Sequence, residues 1–225
     1  LSLESTVTTT HPYAWSSTFT GTQAEGLTLS AGKDFSLVAG NDLSLSATTL
    51  KAGGDAALQA GNDLTLGAVQ SGTRWKTQTT DGSIDAGGAL SLQAGHDLTV
   101  QAGSLKAGGD MALLAGHDLS LTATTNGTSS NVTHDVTTLG AGGNVAVAAG
   151  NDVRLEGTQI KTAGSAALQA GNDLNLSTVT DSTTSTKSWK EGKKRITETT
   201  TDETLHGVAV DASTGVQMAA GRLVD

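Results

Sequence analysis

Six aspartates return at one position of a repeated Ala-Gly-x-Asp tetrapeptide: Asp42, Asp63, Asp97, Asp118, Asp152 and Asp173. Carboxylates in a regular array can ligate calcium, act as general acid and base, or cap turns by accepting backbone N–H groups. A calcium-binding nonapeptide array needs Gly-Gly-x-Gly-x-Asp at a period of nine residues. Here the tetrapeptides fall at spacings of 8 and 13, so that register fails. Carbohydrate-active enzymes bring a few carboxylates together in one groove. Acids that return with every repeat behave instead as structural turn residues. The six are therefore expected to form a ladder along a corner, with no catalytic residue and no enzyme activity. Asn41, Asn62, His96, His117, Asn151 and Asn172 precede them. His96 and His117 lie one repeat unit apart and are expected to stack. On an exposed corner they read as turn residues, so neither a metal site nor a cofactor is assigned.

A second set of residues suits contact rather than chemistry. Trp15, Trp75 and Trp189 all lie outside the repeat, and Lys187, Lys190, Lys193, Lys194 and Arg195 gather around Trp189. Tryptophan beside cations is a common composition for a recognition surface. The plainer reading is that each indole covers the flank of its own segment. These eight residues are the candidate surface contacts, and their positive charge keeps an anionic partner such as lipopolysaccharide in view.

The rest of the chain has the opposite charge. A net charge of −9 and a pI near 4.8 oppose binding to nucleic acid phosphates. With no Cys there is neither disulfide nor thiol chemistry, a composition that suits export as an unfolded chain. No apolar run approaches the roughly 20 residues that span a bilayer. The chain begins at Leu1 with no visible signal peptide and reads as an excerpt of a longer protein.

The elements that carry these residues repeat. Units start at residues 31, 52, 86, 107, 141 and 162, so spacings of 21 and 34 alternate and the full period is 55. Within each unit, offsets 4, 6, 12 and 14 are always apolar, from Phe35, Leu37, Leu43 and Leu45 to Ala166, Leu168, Leu174 and Leu176. A spacing of two is strand periodicity, with one face buried. Two such strands cannot bury that face alone, whereas stacked coils bury it as a continuous column. The expected fold is all-β: a right-handed parallel β-helix with coils of 21 residues. A third short strand should end near Leu50, Leu105 and Ile160. Glycine at each corner is expected to supply positive φ. Val216 and Met218 should face inward in a degenerate seventh coil.

Regular coils are assigned to about 27–66, 84–121, 139–176 and 209–223 of a single unit, 1–225. Thr/Ser-rich inserts occupy about 1–25, 67–83, 122–138 and 177–208 and are expected to form β-hairpins outside the helix. Asn126-Gly127 reads as the turn of one, and Glu191-Gly192 as the turn of another that projects from the rod over 180–204. His11, His134 and His206 lie in the inserts without spaced partners.

The paired Ala-Gly-x-Asp-Leu-x-Leu-x-Ala units resemble the hemagglutinin repeats of filamentous hemagglutinin-like exoproteins of two-partner secretion systems. The resemblance covers about 27–223. It implies a structural or adhesive shaft on a Gram-negative cell surface or secreted from it, exported through an outer-membrane transporter and meeting a cell-surface receptor or glycan. The same repeat type occurs in contact-dependent growth-inhibition proteins, where it would assist toxin delivery. A polysaccharide-active β-helix enzyme is the remote alternative. The chain departs from the pattern at Ala89, Asn144 and Ser165, where the first corner loses its Asp.

Overall fold

The two-residue alternation folds as a solenoid. A computed structural model describes residues 2–3, 6–10, 21–73 and 76–221. Three seven-stranded parallel sheets form its faces, each coil giving one strand to each face, so the fold is an all-β parallel β-helix. No helix occurs among the described residues.

Like stacks on like. On one face Leu43, Leu64, Leu98, Leu119, Val153 and Leu174 are successive partners. On another the column is Leu29, Leu50, Ile84, Leu105, Leu139, Ile160 and Val210. Leu64, Leu92, Leu98, Leu113 and Leu121 are fully buried. Burying a leucine side chain contributes roughly 1.5–3 kcal/mol, so thin repeated rows replace the large rings of a globular core. Only the end rows are incomplete. Phe35 and Leu37 are half-buried and Leu176 is exposed. Val216 and Met218 hold the inward register opposite Ala166 and Leu168 but stay exposed, because no described coil covers them.

The third strand is longer and more general than the sequence suggests. It runs Thr48–Ala52, Ser104–Ala107 and Gln159–Thr162, and the insert-bearing coils have it too, at Ser83–Ala86, Thr138–Ala141 and Ala209–Ala212. Ser2–Leu3, assigned by sequence to an insert, pairs in parallel with Ser44 and Leu45 as part of the rod.

The reason for the corner glycines also differs from expectation. Among the described residues, the glycines with positive φ are Gly72, Gly127, Gly157 and Gly192, none of them in an Ala-Gly-x-Asp corner. What the corners require is close backbone approach. A Cβ on Gly61 would lie 2.2 Å from the Gly40 carbonyl oxygen, and one on Gly95 or Gly116 2.1 Å from the oxygen of the glycine below. Left-handed backbone appears instead at the tight turn into the third strand, at Ala47, Ala102 and Gly157 (φ 46°, 47° and 60°).

At that same turn, every second coil opens into a hairpin. The hairpins are Thr6–Thr10 with Gly21–Glu25, Val69–Thr73 with Lys76–Thr80, Thr124–Thr128 with Asn131–Asp135, and Val179–Glu191 with Lys194–His206. They do not project singly. They join edge to edge into one eight-stranded antiparallel sheet along the rod, through the pairs Thr22–Gly72, Thr77–Gly127, Asn131–Thr183 and Val132–Ser182. In the third hairpin, Asn126-Gly127 lies within a strand and the turn falls at Ser129-Ser130. Asn126 is engaged elsewhere: its Oδ1 accepts from Thr79 Oγ1 of the second hairpin and its Nδ2 donates to Asp135 Oδ2.

Two alanine substitutions separate the two explanations of the corner glycines. Neither site has positive φ, so only Gly116→Ala meets backbone, whereas a Cβ at Gly40 meets nothing within 4 Å. Thermal melts should show Gly116→Ala destabilised by about 2 kcal/mol or more and Gly40→Ala within about 0.5 kcal/mol of wild type. Equal melts would contradict the close-approach account.

Candidate functional site

The corner between the first two faces positions the six aspartates. Each carboxylate reaches along the rod and accepts the backbone N–H of the next aspartate. The distances to Oδ1 are 3.3 Å for Asp63 N to Asp42, 3.1 Å for Asp97 N to Asp63 and 3.0 Å for Asp118 N to Asp97. The chain continues with Asp152 N to Asp118 at 3.1 Å and Asp173 N to Asp152 at 3.0 Å. Asparagine before the aspartate adds a second donor, Asn62 Nδ2 to Asp42 and Asn151 Nδ2 to Asp118, both at 2.8 Å. These bonds hold the Asp42 carboxyl below the ordinary range, the Asn62 amide contributing most. At Asp118, burial pushes the pKa up, but donation from Asn151, the Asp152 N–H and His117 outweighs it and the net direction is down. The other corner builds a shorter ladder. Asp34 accepts from Asp55 N, Asp55 from Ala89 N and Asp110 from Asn144 N. Asn144 keeps the acceptor for Ser165 N at 2.9 Å, while Ala89 has no oxygen to pass on.

The candidate contact residues are only partly brought together. Trp15 and Trp75 lie outside the described residues. In the fourth hairpin, strand alternation puts Lys187, Trp189 and Lys194 on one face, where Lys187 faces Glu198, Trp189 faces Ile196 and Lys194 faces Glu191. Lys190 and Arg195 are paired on the opposite face, and Lys193 sits in the turn with Gly192 (φ 64°). That second face is otherwise a hydroxyl ladder, with Thr184–Thr201, Thr186–Thr199 and Ser188–Thr197 pairs at 3.1–3.4 Å. The arms have 13 residues each, against 5 in the other three hairpins, so the outer part stands clear of its neighbours. Trp189 is 46% exposed.

The hemagglutinin repeat matches three times, over residues 14–80, 70–134 and 125–224, and the last two matches start one 55-residue period apart. The chain belongs to the hemagglutinin-repeat family. No curated protein and no solved structure matches it. Successive matches overlap at the second and third hairpins, so the match from 70 to 134 takes in two coils and the hairpin on either side of them.

One cluster at the hairpin bases escaped the sequence reading. His134 and His206 are not isolated: both meet Asp181. His134 Nδ1 lies 3.0 Å from Asp181 Oδ1, which also accepts the His134 N–H at 2.8 Å, and His206 Nε2 lies 3.0 Å from Oδ2. Burial raises the Asp181 pKa, but the hydrogen bonds from His134 and then His206 outweigh it and leave the carboxyl low. The signal was the period itself. Thr79 donates to Asn126, and 55 residues further on His134 meets Asp181 across the same hairpin junction. At the preceding base Asp81 is half-buried with an unpartnered Oδ1. Burial, then the charge of Asp135, pushes it up to about 6.

These carboxylates oppose one another in pH dependence. Asp42, Asp118 and Asp181 add stability that is lost as pH falls below the ordinary carboxylate range. Asp81 is raised, so its contribution is complete below about 3.8 and is lost as pH rises through about 6. Asp81→Asn should therefore be more stable than wild type at pH 7.5, by roughly 1 kcal/mol once solvent screening of a half-exposed group is discounted. The difference should vanish near pH 4. Melts from pH 4 to 7.5 check this, and a gap independent of pH would contradict it.

Proposed function

We propose that this chain is a shaft segment of a secreted surface adhesin, with the rod as spacer and the hairpin sheet as its contact surface. The single observation that carries the reading is the division of labour in each repeat. The coils bury a continuous apolar column that needs nothing from outside, while the hairpins expose a polar sheet on one side. The family match supports a structural and adhesive role over an enzymatic one. The acids of the corner are spread one per coil and bonded to backbone, unlike carboxylates gathered for catalysis.

In this reading the parent protein is exported by a two-partner system of a Gram-negative cell, through its outer-membrane transporter. A cysteine-free, locally stacking chain can fold coil by coil as it emerges. The outer half of the fourth hairpin is the proposed contact element. It combines an exposed Trp189 with five cations on an acidic chain. Lys190 opposite Arg195 is a like-charge pair that an anionic group on a cell-surface glycan would neutralise.

The test keeps the base of that hairpin, where Val179 is buried and Asp181 binds both histidines, and replaces residues 184–201 by a two-residue turn. The trimmed protein should melt within about 1 kcal/mol of wild type, because loop length weighs little on stability. Its binding to Gram-negative cells should fall at least ten-fold, and wild-type binding should weaken with added salt. Undiminished binding by a folded trimmed variant would leave the segment a plain spacer.

A further inference from the structure

The residue before each ladder aspartate is asparagine in four coils and histidine in two consecutive coils. Asparagine there has a simple task, donating Nδ2 to the aspartate of the coil below, as Asn62, Asn151 and Asn172 do at 2.8–2.9 Å. The histidines make a different arrangement. Their rings stack in parallel, with centroids 4.7 Å apart and planes within 5°. His96 Nδ1 lies 3.1 Å from Asp97 Oδ1 and 3.4 Å from Asp63 Oδ1. His117 Nδ1 lies 3.3 Å from the same Asp97 oxygen and 3.3 Å from Asp118 Oδ2. Two imidazole nitrogens thus converge on one carboxylate oxygen, flanked by two more carboxylates.

A ring nitrogen lone pair repels a carboxylate, so each Nδ1 must either carry a proton or share a cation with Asp97. The two N–O spacings suit a cation, which both rings reach by turning out of their parallel stack, since a ring nitrogen's lone pair lies in its ring plane. The ligand atoms of His96, Asp97 and His117 all lie within 4.8 Å of one another. An ion bonded at about 2.0–2.2 Å to nitrogen and oxygen separates adjacent ligands by roughly 3.0–3.5 Å, and the two N–O distances here are 3.1 and 3.3 Å. The donor set selects the class of ion: imidazole suits zinc and its transition-metal neighbours, while calcium and magnesium require oxygen cages. The three side chains are 40–52% exposed, so an ion and its remaining water ligands have access from solution.

We propose that His96, His117 and Asp97 form a binding site for one divalent transition-metal ion of the zinc type, clamping two successive coils at their outer corner. The site is independent of the adhesive reading. It lies at the Ala-Gly-x-Asp corner, whereas the hairpins leave the rod at the turn into the third strand.

The repeat supplies its own control, because asparagine occupies the same position in the other coils. His96→Asn, His117→Asn and the double variant should keep the ladder and melt like wild type without metal. In calorimetric titration with Zn²⁺ alone, wild type should bind one ion per chain. Each single variant should bind at least ten-fold more weakly, and the double variant should not bind at this corner. Zn²⁺ should raise the melting midpoint of wild type and not of the double variant. On wild type itself, Zn²⁺ should shift the ring NMR signals of His96 and His117 and spare those of His134 and His206, a readout that needs no variant to fold. Absence of saturable Zn²⁺ binding by wild type would overturn the proposal. So would undiminished binding by the double variant, or shifts confined to His134 and His206.

Discussion

The spacing of hydrogen-bonded strands, about 4.8 Å, governs this molecule on both of its surfaces. Each coil rises by one such step. Two coils rise about 9.6 Å, which is also the width of two antiparallel strands. A hairpin on every second coil therefore delivers one strand per step, and neighbouring hairpins meet edge to edge. The pairs Thr77–Gly127 and Val132–Ser182 are those meetings. A hairpin on every coil would crowd two strands into one step, and one on every third would leave a gap. The alternation of 21 and 34 residues follows from that match.

The same short step explains the corners. Backbones that turn in register one strand apart leave no room for a Cβ, hence the glycine column from Gly61 to Gly171. It also brings aspartates into a stack, whose mutual repulsion is under about 1 kcal/mol per neighbour in watery surroundings. The carboxylates from Asp42 to Asp152 each accept the N–H of the coil above, and at Asp42 and Asp118 these bonds, with the Asn62 and Asn151 amides, hold the carboxyl low against burial. The ladder satisfies corner amides that a sharp turn would otherwise leave without a partner.

The sequence made the rod legible because its information is local and repeated. Apolar residues two apart mark an inward face, and a 55-residue period marks the stacking. Leu64 and Val147 sit where that pattern puts them. The hairpin sheet was harder to see. Its contacts join residues 47 to 55 positions apart, such as Gln70 with Thr125 and His134 with Asp181, and they use polar residues that carry no hydrophobic period. Asn126-Gly127 shows local turn chemistry losing to that longer-range register, since Asn126 serves two neighbours from within a strand. The cations of the fourth hairpin, close in sequence, divide between two faces because a strand alternates. Of the proposed contact set, composition alone could name the residues but not the face.

Deletion of whole repeat units tests the shared step most directly. Removing residues 87–141 takes out 55 residues, two coils and one hairpin, and joins positions that are equivalent in the stack. The strand Lys76–Thr80 then meets Val179–Glu191 as it now meets Thr124–Thr128. Removing residues 87–107 takes out one 21-residue coil, keeps the rod register equally well and places two hairpins on successive coils. If strand spacing couples rod and hairpins, the longer deletion keeps a single cooperative melt close to that of the full chain. The shorter deletion melts lower and loses amide protection in the second and third hairpins. Equal stability and protection after the two deletions would contradict the account, because the hairpins would then be independent of the coils that carry them.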